Sequence, residues 1–295
     1  MLDSRKKRLL FLSRCHGLGN KTLSRMIEED STLEKVFQMS NHQLKKKYQL
    51  SEVTVHQMKD RMKQERILDQ FEKYINEKIH VITLFDSEYP ALLREIFDPP
   101  LVLYLKGDKT LSIRDRILSV VGTRDASTNG RRSLEKIITP LIEGGWTIVS
   151  GLAYGIDIAA HRQAIASGGS TIAVLGSGFH HIYPREHTDI ACNIASNHLL
   201  VSEYPPDRKP AKWQFPMRNR IISGLSRGTL IIEAREKSGS LITGDQALQQ
   251  GREVFAVPGS ILEPRTGGTH YLIQQGAKLT TSAEDILEEL CDFKS

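Results

Sequence analysis

Six short, almost wholly apolar runs punctuate the chain after residue 115: ILSVV before Gly122, WTIVS before Gly151, STIAVL before Gly176, LLVS before Glu203, GTLII before Glu233 and EVFAV before Pro258. Each closes on a glycine, proline or polar turn, and most are followed by a stretch of helical character. Runs this continuous lack the in-out alternation of a half-exposed antiparallel strand. They predict parallel strands buried on both faces, with helices covering the sheet. The expected fold class is α/β, an extended Rossmann-like doubly wound parallel sheet. Ligands bind such sheets beyond the carboxyl ends of the strands, which directs attention to the turns that follow the runs.

The opening of the chain reads differently. Residues 1–75 hold no proline and carry long charged, amphipathic stretches such as LEKVFQM and VTVHQMKDRMKQERILDQFEKYI, the pattern of a small all-helical N-terminal domain. Pro90 and the Pro99-Pro100 pair then interrupt helical periodicity. Residues 76–110 are therefore expected to connect, with one or two short strands, and residues 111–295 to form the α/β domain. Cys15, Cys192 and Cys291 are few and far apart, with no CxxC spacing, so neither a disulfide framework nor a zinc site is expected. No apolar run approaches the roughly 18 residues needed to span a bilayer, and MLDSRKKRLLFLSR turns polar too soon for a signal peptide. A cytoplasmic protein is expected.

The formal net charge of +5 is unevenly spread. Residues 1–80 hold 17 Lys and Arg against 11 Asp and Glu, whereas residues 81–295 hold 23 against 24. An anion bound by the larger domain must be held by local placement of charge.

Three strand-end turns contain glycine: Gly122-Thr123-Arg124, Gly151-Leu152-Ala153-Tyr154-Gly155 and Gly176-Ser177-Gly178. Glycine there serves either a sharp turn or the close approach of amide N–H groups to a phosphate, and the pattern leaves both open. None completes a GxGxxG with an acidic residue about 20 positions on, so no dinucleotide cofactor is expected. Arg124 follows the first strand's glycine at the ligand-binding edge, where a guanidinium suits bidentate phosphate contacts and stacking on bases. Arg208 to Ile232 contains six basic residues and no acidic one, with Trp213 and Phe215 among them. These rings either stack on bases, as in a groove for single strands, or anchor a loop in the core. Arg218, Asn219 and Arg220 are the candidate contacts in that segment. Ser238, Gly239 and Ser240 follow the fifth run and open a helix, offering hydroxyls and free amides to an anion, with plain N-capping as the alternative.

Other patterns point to structure. His180, His181 and His187 match no closed metal-ligand set, so no metal is expected. Asp157 and His161 stand four apart on one helix face and are expected to pair structurally; no nucleophile accompanies them, so no catalytic residue is nominated. Residues 15–22, CHGLGNKT, read either as a helix-hairpin-helix turn exposing amides to DNA or as a packing turn.

Taken together, VVGTR, SGLAYGIDIAAH, GGSTIAVLGSGFHHIYPREH, SEYPP, FPMRNRIISGLSRG, EAREKSGSLITGDQALQQGREVFAVPGSI and GGTHYLIQQGAKL closely resemble the DNA-processing protein A family (DprA, also called Smf), over about residues 85–282. The resemblance implies a non-enzymatic, cofactor-free protein that binds single-stranded DNA, protects incoming strands during natural transformation and helps load the RecA recombinase onto them. It also implies a helical module, of sterile-alpha-motif or hairpin type, joined to an extended Rossmann domain that forms a homodimer. By the same resemblance the DNA-binding arginine falls on Arg124, and a second cation on Arg185, where the family often has Lys. The glycine turns supply Gly122, Gly151, Gly176 and Gly178, the RNR motif Arg218 and Arg220, and the dimer surface His270, Ile273 and Leu279. Ordinary core packing is the alternative for these last three. Some relatives add a C-terminal winged helix; this sequence stops at Ser295, soon after DILEEL, so a role resting on that appendage is not expected.

A second class is a nucleoside-monophosphate phosphoribohydrolase, which resembles this fold and uses a PGGxGTxxE loop. The nearest stretch, SGSLITGD, lacks the paired glycines and the glutamate, leaving Asp245 as a poor substitute for an acid-base group.

Overall fold

The computed structural model describes residues 4–64 and 73–290, and the chain divides into two units. Met1–Tyr89 with Asp98–Tyr104 make one; Pro90–Phe97 with Leu105–Ser295 make the other. Cys291 and part of the helical stretch expected over residues 53–75 lie outside the described residues.

The first unit holds helices α1 (Ser4–Ser13), α2 (Asn20–Glu29), α3 (Glu34–Gln38), α4 (Asn41–Tyr48) and α5 (Glu52–Gln64), followed by strand β1 (Ile79–Thr83). Helix α4 starts at a capping box: Ser40 Oγ accepts from the Gln43 amide at 3.3 Å, and Gln43 Oε1 accepts from the Ser40 amide at 2.8 Å. Leu9, Leu12, Met26, Leu44 and Met58 are fully buried and form its core. In the CHGLGNKT turn, Gly17 adopts φ +85°, and the Thr54 side chain fills the place its Cβ would take. Packing accounts for that glycine.

Strand β2 (Val102–Gly107) leads into the second unit, whose strands are β3 (Ile117–Val121), β4 (Thr147–Ser150), β5 (Ser170–Leu175), β6 (Leu199–Ser202), β7 (Gly228–Ile231), β8 (Glu253–Ala256) and β9 (Lys278–Leu279). Strands β3 to β8 coincide with the six apolar runs. Strand β9, two residues long, has no comparable run to announce it. All are parallel neighbours in the order β6-β5-β4-β3-β7-β8-β9. The sheet grows outward from β3 to β6, then restarts at β7 on the other side of β3. That reversal defines a doubly wound sheet, and it opens a crevice at the carboxyl ends of β3 and β7.

Between the strands run α6 (Ala91–Arg94), α7 (Thr128–Glu143), α8 (Ile156–Ala166), α9 (Thr188–Asn197), α10 (Gln214–Gly224), α11 (Gly239–Gln249), α12 (Gly267–Gln274) and α13 (Glu284–Leu290). The apolar stripe of α7, from Leu134 through Ile138 to Leu141, packs with Ile156 and Ala160 of α8 and Ile286 of α13 on Leu118, Val120, Leu230 and Phe255 of the sheet. Helices α10 and α11 pack on each other and on β5 and β7.

Asp157 and His161 do not bond to each other; each bonds across to the sheet side. Thr171 Oγ1 donates to the Ile148 carbonyl at 2.8 Å, so its remaining lone pair accepts from His161 Nδ1 at 2.7 Å. The proton of His161 therefore sits on Nδ1, and Nε2 is buried with no hydrogen-bond partner among the described residues. Burial lowers its pKa from 6.5 to about 3, so the folded chain holds a neutral imidazole that the unfolded chain protonates. Stability from this group is complete above pH ~6.5 and is lost as pH falls toward 3, by up to about 1.4 kcal/mol per unit. Thermal melts between pH 7 and 5 should fall more steeply for the native chain than for His161→Gln. Parallel curves would show that His161 does not titrate differently on unfolding.

Candidate nucleic-acid interface

A pocket of about 550 Å³ lies at the crevice between the ends of β3 and β7. The turn after β3 contributes Gly122, Thr123 and Arg124; the segment after β7 and the start of α11 contribute Arg235, Ser238, Gly239 and Ser240; α10 contributes Arg218 and Asn219. Arg124 is exposed, and no hydrogen bond or ion pair holds its guanidinium among the described residues. It is free to meet an anion.

The turn bearing Arg124 is fixed from beneath by Glu233. The Thr123 amide donates to the Glu233 carbonyl at 2.7 Å, and the buried Glu233 carboxylate accepts from the Ser127 amide at 2.9 Å and the Ser127 hydroxyl at 2.5 Å. Ser127 Oγ in turn accepts from the Gly130 amide at 2.9 Å, capping α7. Gly130 lacks the Cβ that would collide with that carboxylate. At the mouth, Asp125 bonds Arg265 at 2.8 Å and pairs with Arg235 at 3.4 Å; these cations hold its carboxyl below the usual carboxylate range.

The floor is a buried charged pair. Arg218 Nη1 donates to the carbonyls of Gly151 at 2.6 Å and Val174 at 2.5 Å, and Nε donates to Asn219 Oδ1 at 3.1 Å. Asp157, at the start of α8, accepts from the Gly151 amide at 3.2 Å. Burial pushes the Asp157 carboxyl above its ordinary range against the opposing pull of Arg218. Burial also lowers Arg218, to about 10, which leaves it cationic at neutral pH.

Several sequence candidates take structural places instead. Arg220 points away from the pocket into a largely buried ion pair with Glu203 at 2.6 Å, so it is not available to a strand. Arg218 lines the pocket, but its donors serve strand-end carbonyls, making it a positive floor more than a flexible contact. Both lie inside helix α10, not at its edge. Gly151 makes room for the Arg218 guanidinium, 2.5 Å from where a Cβ would stand, and its amide is committed to Asp157. Gly176 makes room for the Phe215 ring at 2.8 Å. The missing Cβ of Gly178 would collide with the Pro205 and Pro206 carbonyls, and its amide donates to the Arg208 carbonyl at 2.8 Å. The phosphate-cradle role is therefore corrected to packing at Gly151 and Gly178, whose amides are taken. Gly239 differs: nothing lies within 4 Å of its Cβ position, and it opens the first turn of α11 on the pocket. Ser238 makes no side-chain cap; its hydroxyl meets that of Ser240 at 2.9 Å.

Phe215 lines the pocket beside Tyr183, ring centroids 5.3 Å apart, whereas Trp213 is 55% exposed and meets Tyr204 edge-on at 6.0 Å. Neither ring is buried as a core anchor. Arg185 is exposed two residues beyond Tyr183, outside the pocket lining. Lys212, Tyr183 and Arg235, which the sequence does not single out, also line the pocket, as does Thr243. Lys212 belongs to the acid-free segment that pointed there, but Arg235 is flanked by Glu233 and Glu236, so local charge concealed it. On the far edge of the sheet, His270 and Ile273 on α12 are partly buried and Leu279 on β9 is 47% exposed; His270 Nε2 meets the Gly259 backbone at 3.1 Å. Among the described residues no group of three or more His, Cys, Asp or Glu side chains could hold a metal ion, and no helix is long and apolar enough to cross a membrane.

Residues 80–291 match the model of the family described as DNA recombination-mediator protein A. The chain belongs to that family. The DNA processing protein DprA of Bacillus subtilis is 52% identical over 217 residues, which cover 74% of this chain and 73% of that protein. The structure of DNA processing protein A from Streptococcus pneumoniae superposes with a TM-score of 0.84 at 38% identity, covering 96% of this chain and 97% of that one. The DNA processing protein A of Helicobacter pylori, a structure that bears on its single-stranded DNA binding mode, gives 0.64 at 29% identity over 72% of this chain and 95% of that one. The resemblance and the Rossmann-like α/β fold expected from the sequence are thus both found in this family member.

Proposed function

We propose that this chain binds single-stranded DNA through the pocket at the β3/β7 crevice, shields the strand during natural transformation and passes it to the RecA recombinase, without catalysing a reaction itself. The observation that carries this reading is Arg124. An unpaired guanidinium stands at the topological switch point of the sheet, facing a pocket that also holds Lys212, Arg218 and Arg235 and the adjacent Phe215 and Tyr183 rings. Cations follow a phosphate backbone and rings stack on bases at roughly 1–3 kcal/mol each, a combination that favours single strands without reading sequence. The Helicobacter pylori relative, studied for how it binds single-stranded DNA, supports the same reading.

The hydrolase alternative finds less support, because Asp245 is exposed on α11 and does not line the pocket. Binding of labelled oligothymidylate measured from low to high salt tests the function. The logarithm of the binding constant should fall linearly with that of salt, with a slope of about −0.7 for each phosphate engaged. Binding that ignores salt would exclude a backbone-tracking site.

The working form is proposed to be a cytoplasmic homodimer joined through His270, Ile273 and Leu279. The half-exposed Leu279 lies on the short edge strand β9, whose outer side has no strand neighbour in the sheet and is suited to a second copy. Leu279→Glu should halve the mass measured by light scattering while leaving the melting temperature nearly unchanged. A native chain that is already monomeric at micromolar concentration would exclude the dimer.

A further inference from the structure

We propose that the β3/β7 pocket is selective for a nucleoside 5′-phosphomonoester, the group presented both by a free mononucleotide and by the 5′-phosphorylated end of a DNA strand. This rests on the reading of the pocket as a nucleic-acid site and narrows it to one chemical group. At about 550 Å³ the cavity falls within the ~300–1,000 Å³ range of pockets that enclose a whole small molecule. Such a space can take up one nucleotide bodily.

The charge inside it exceeds what an internal phosphate requires. Arg124, Lys212, Arg218 and Arg235 all line the cavity, against the carboxyl group of Asp157 in the lining and that of Asp125 at the mouth, which Arg235 shares with Arg265. Asp157 is buried, already accepts from the Gly151 amide and stands against Arg218, so its carboxyl is engaged by groups of the pocket floor. An internal phosphodiester brings a single negative charge and two terminal oxygens. A phosphomonoester brings about −1.5 to −2 at neutral pH and three strong acceptor oxygens. Ser238, Ser240 and Thr243 and the first turn of the 11-residue helix α11 line the same cavity, and their donors, among them the mutually bonded Ser238 and Ser240 hydroxyls, match the additional acceptors.

The nucleoside has a place as well. Phe215 and Tyr183 form a tilted aromatic pair on the pocket wall, with interplanar angle 50°, and Tyr183 is 47% exposed. An aromatic face accepts any base, so the cavity can retain a phosphomonoester through its phosphate and its nucleoside together without reading sequence.

The test uses the full chain and three thymidylate oligomers of the same length, about 20 nucleotides, well beyond the site size of a single groove: 5′-phosphorylated linear, 5′-hydroxyl linear and covalently circular. Thymidine 5′-monophosphate and thymidine serve as competitors. The phosphorylated oligomer should bind about tenfold more tightly than the other two, the equivalent of one good charge-assisted contact. Thymidine 5′-monophosphate should displace a labelled strand where thymidine does not, and Arg235→Ala should abolish both discriminations. End preference without displacement identifies the strand terminus as the source of the group; displacement without end preference identifies the free nucleotide. Equal binding of all three oligomers, together with no displacement by the nucleotide, overturns the proposal while leaving single-strand binding intact. Binding of the nucleotide in a chain that takes up no oligomer supports the phosphomonoester site and overturns the single-strand reading instead.

Discussion

Alanine at both Arg124 and Arg185 should lower affinity for oligothymidylate by roughly 100-fold at physiological salt and flatten the salt dependence by about 1.4, the contribution of two phosphates on a single strand. The reason is the state of these side chains in the fold. Arg124 stands exposed at the pocket with no hydrogen bond or ion pair among the described residues to compete with a phosphate, and Arg185 is exposed two residues beyond Tyr183, which lines the same pocket. Removing them costs no internal contact of their side chains, so the melting temperature should hold. Arg220→Ala offers the contrast. Its partner Glu203 would be left largely buried without its ion pair, so that variant should melt at a lower temperature and, once folded, bind DNA nearly as well. A double variant of Arg124 and Arg185 that binds normally would place the strand elsewhere on the molecule.

Removal of the Glu233 carboxylate has the largest expected effect on stability. Glu233→Ala should cost about 2–4 kcal/mol, a drop in melting temperature of roughly 5–10 °C, because the Ser127 amide and hydroxyl would lose their buried acceptor together. The consequence reaches the site. Thr123, Arg124 and Ser127 are held as one turn by the main chain and carboxylate of Glu233, so loosening it frees Arg124 from its position at the pocket mouth. Oligothymidylate affinity should therefore fall even at temperatures where the variant remains folded. Glu233→Gln retains an acceptor and should be milder on both counts. A melting temperature within about 2 °C of the native value for Glu233→Ala would show that water replaces the carboxylate there.

Much of this arrangement is legible in the sequence. The six apolar runs emerge as strands because burial on both faces demands continuous apolar residues, a property each run carries by itself. Arg124 is legible because it follows a strand end by three residues, and in a doubly wound sheet strand ends are where ligands meet the protein. The acid-free stretch from Arg208 to Ile232 likewise contains Lys212, Phe215 and Arg218, which all reach the pocket. What misleads is the reading of Arg218 and Arg220 alike as candidate contacts. Arg218 and Arg220 sit two residues apart on α10, yet one caps the carbonyls of Gly151 and Val174 and the other pairs with Glu203.

The sequence alone, then, determined the parallel α/β class, the positions of the turns and the place of Arg124 on a strand-end turn, since these depend on residues adjacent along the chain. Tertiary structure decided what the charges and glycines are for. Gly151 is small because the guanidinium of Arg218, 67 positions away, occupies the space beside it, and Arg124 is held in place by a glutamate whose bond to Ser127 spans 106 positions. Whether a charge is buried and paired or left free depends on groups that only folding brings within reach, and that distinction separates the cations that hold this sheet together from those left exposed at its edge.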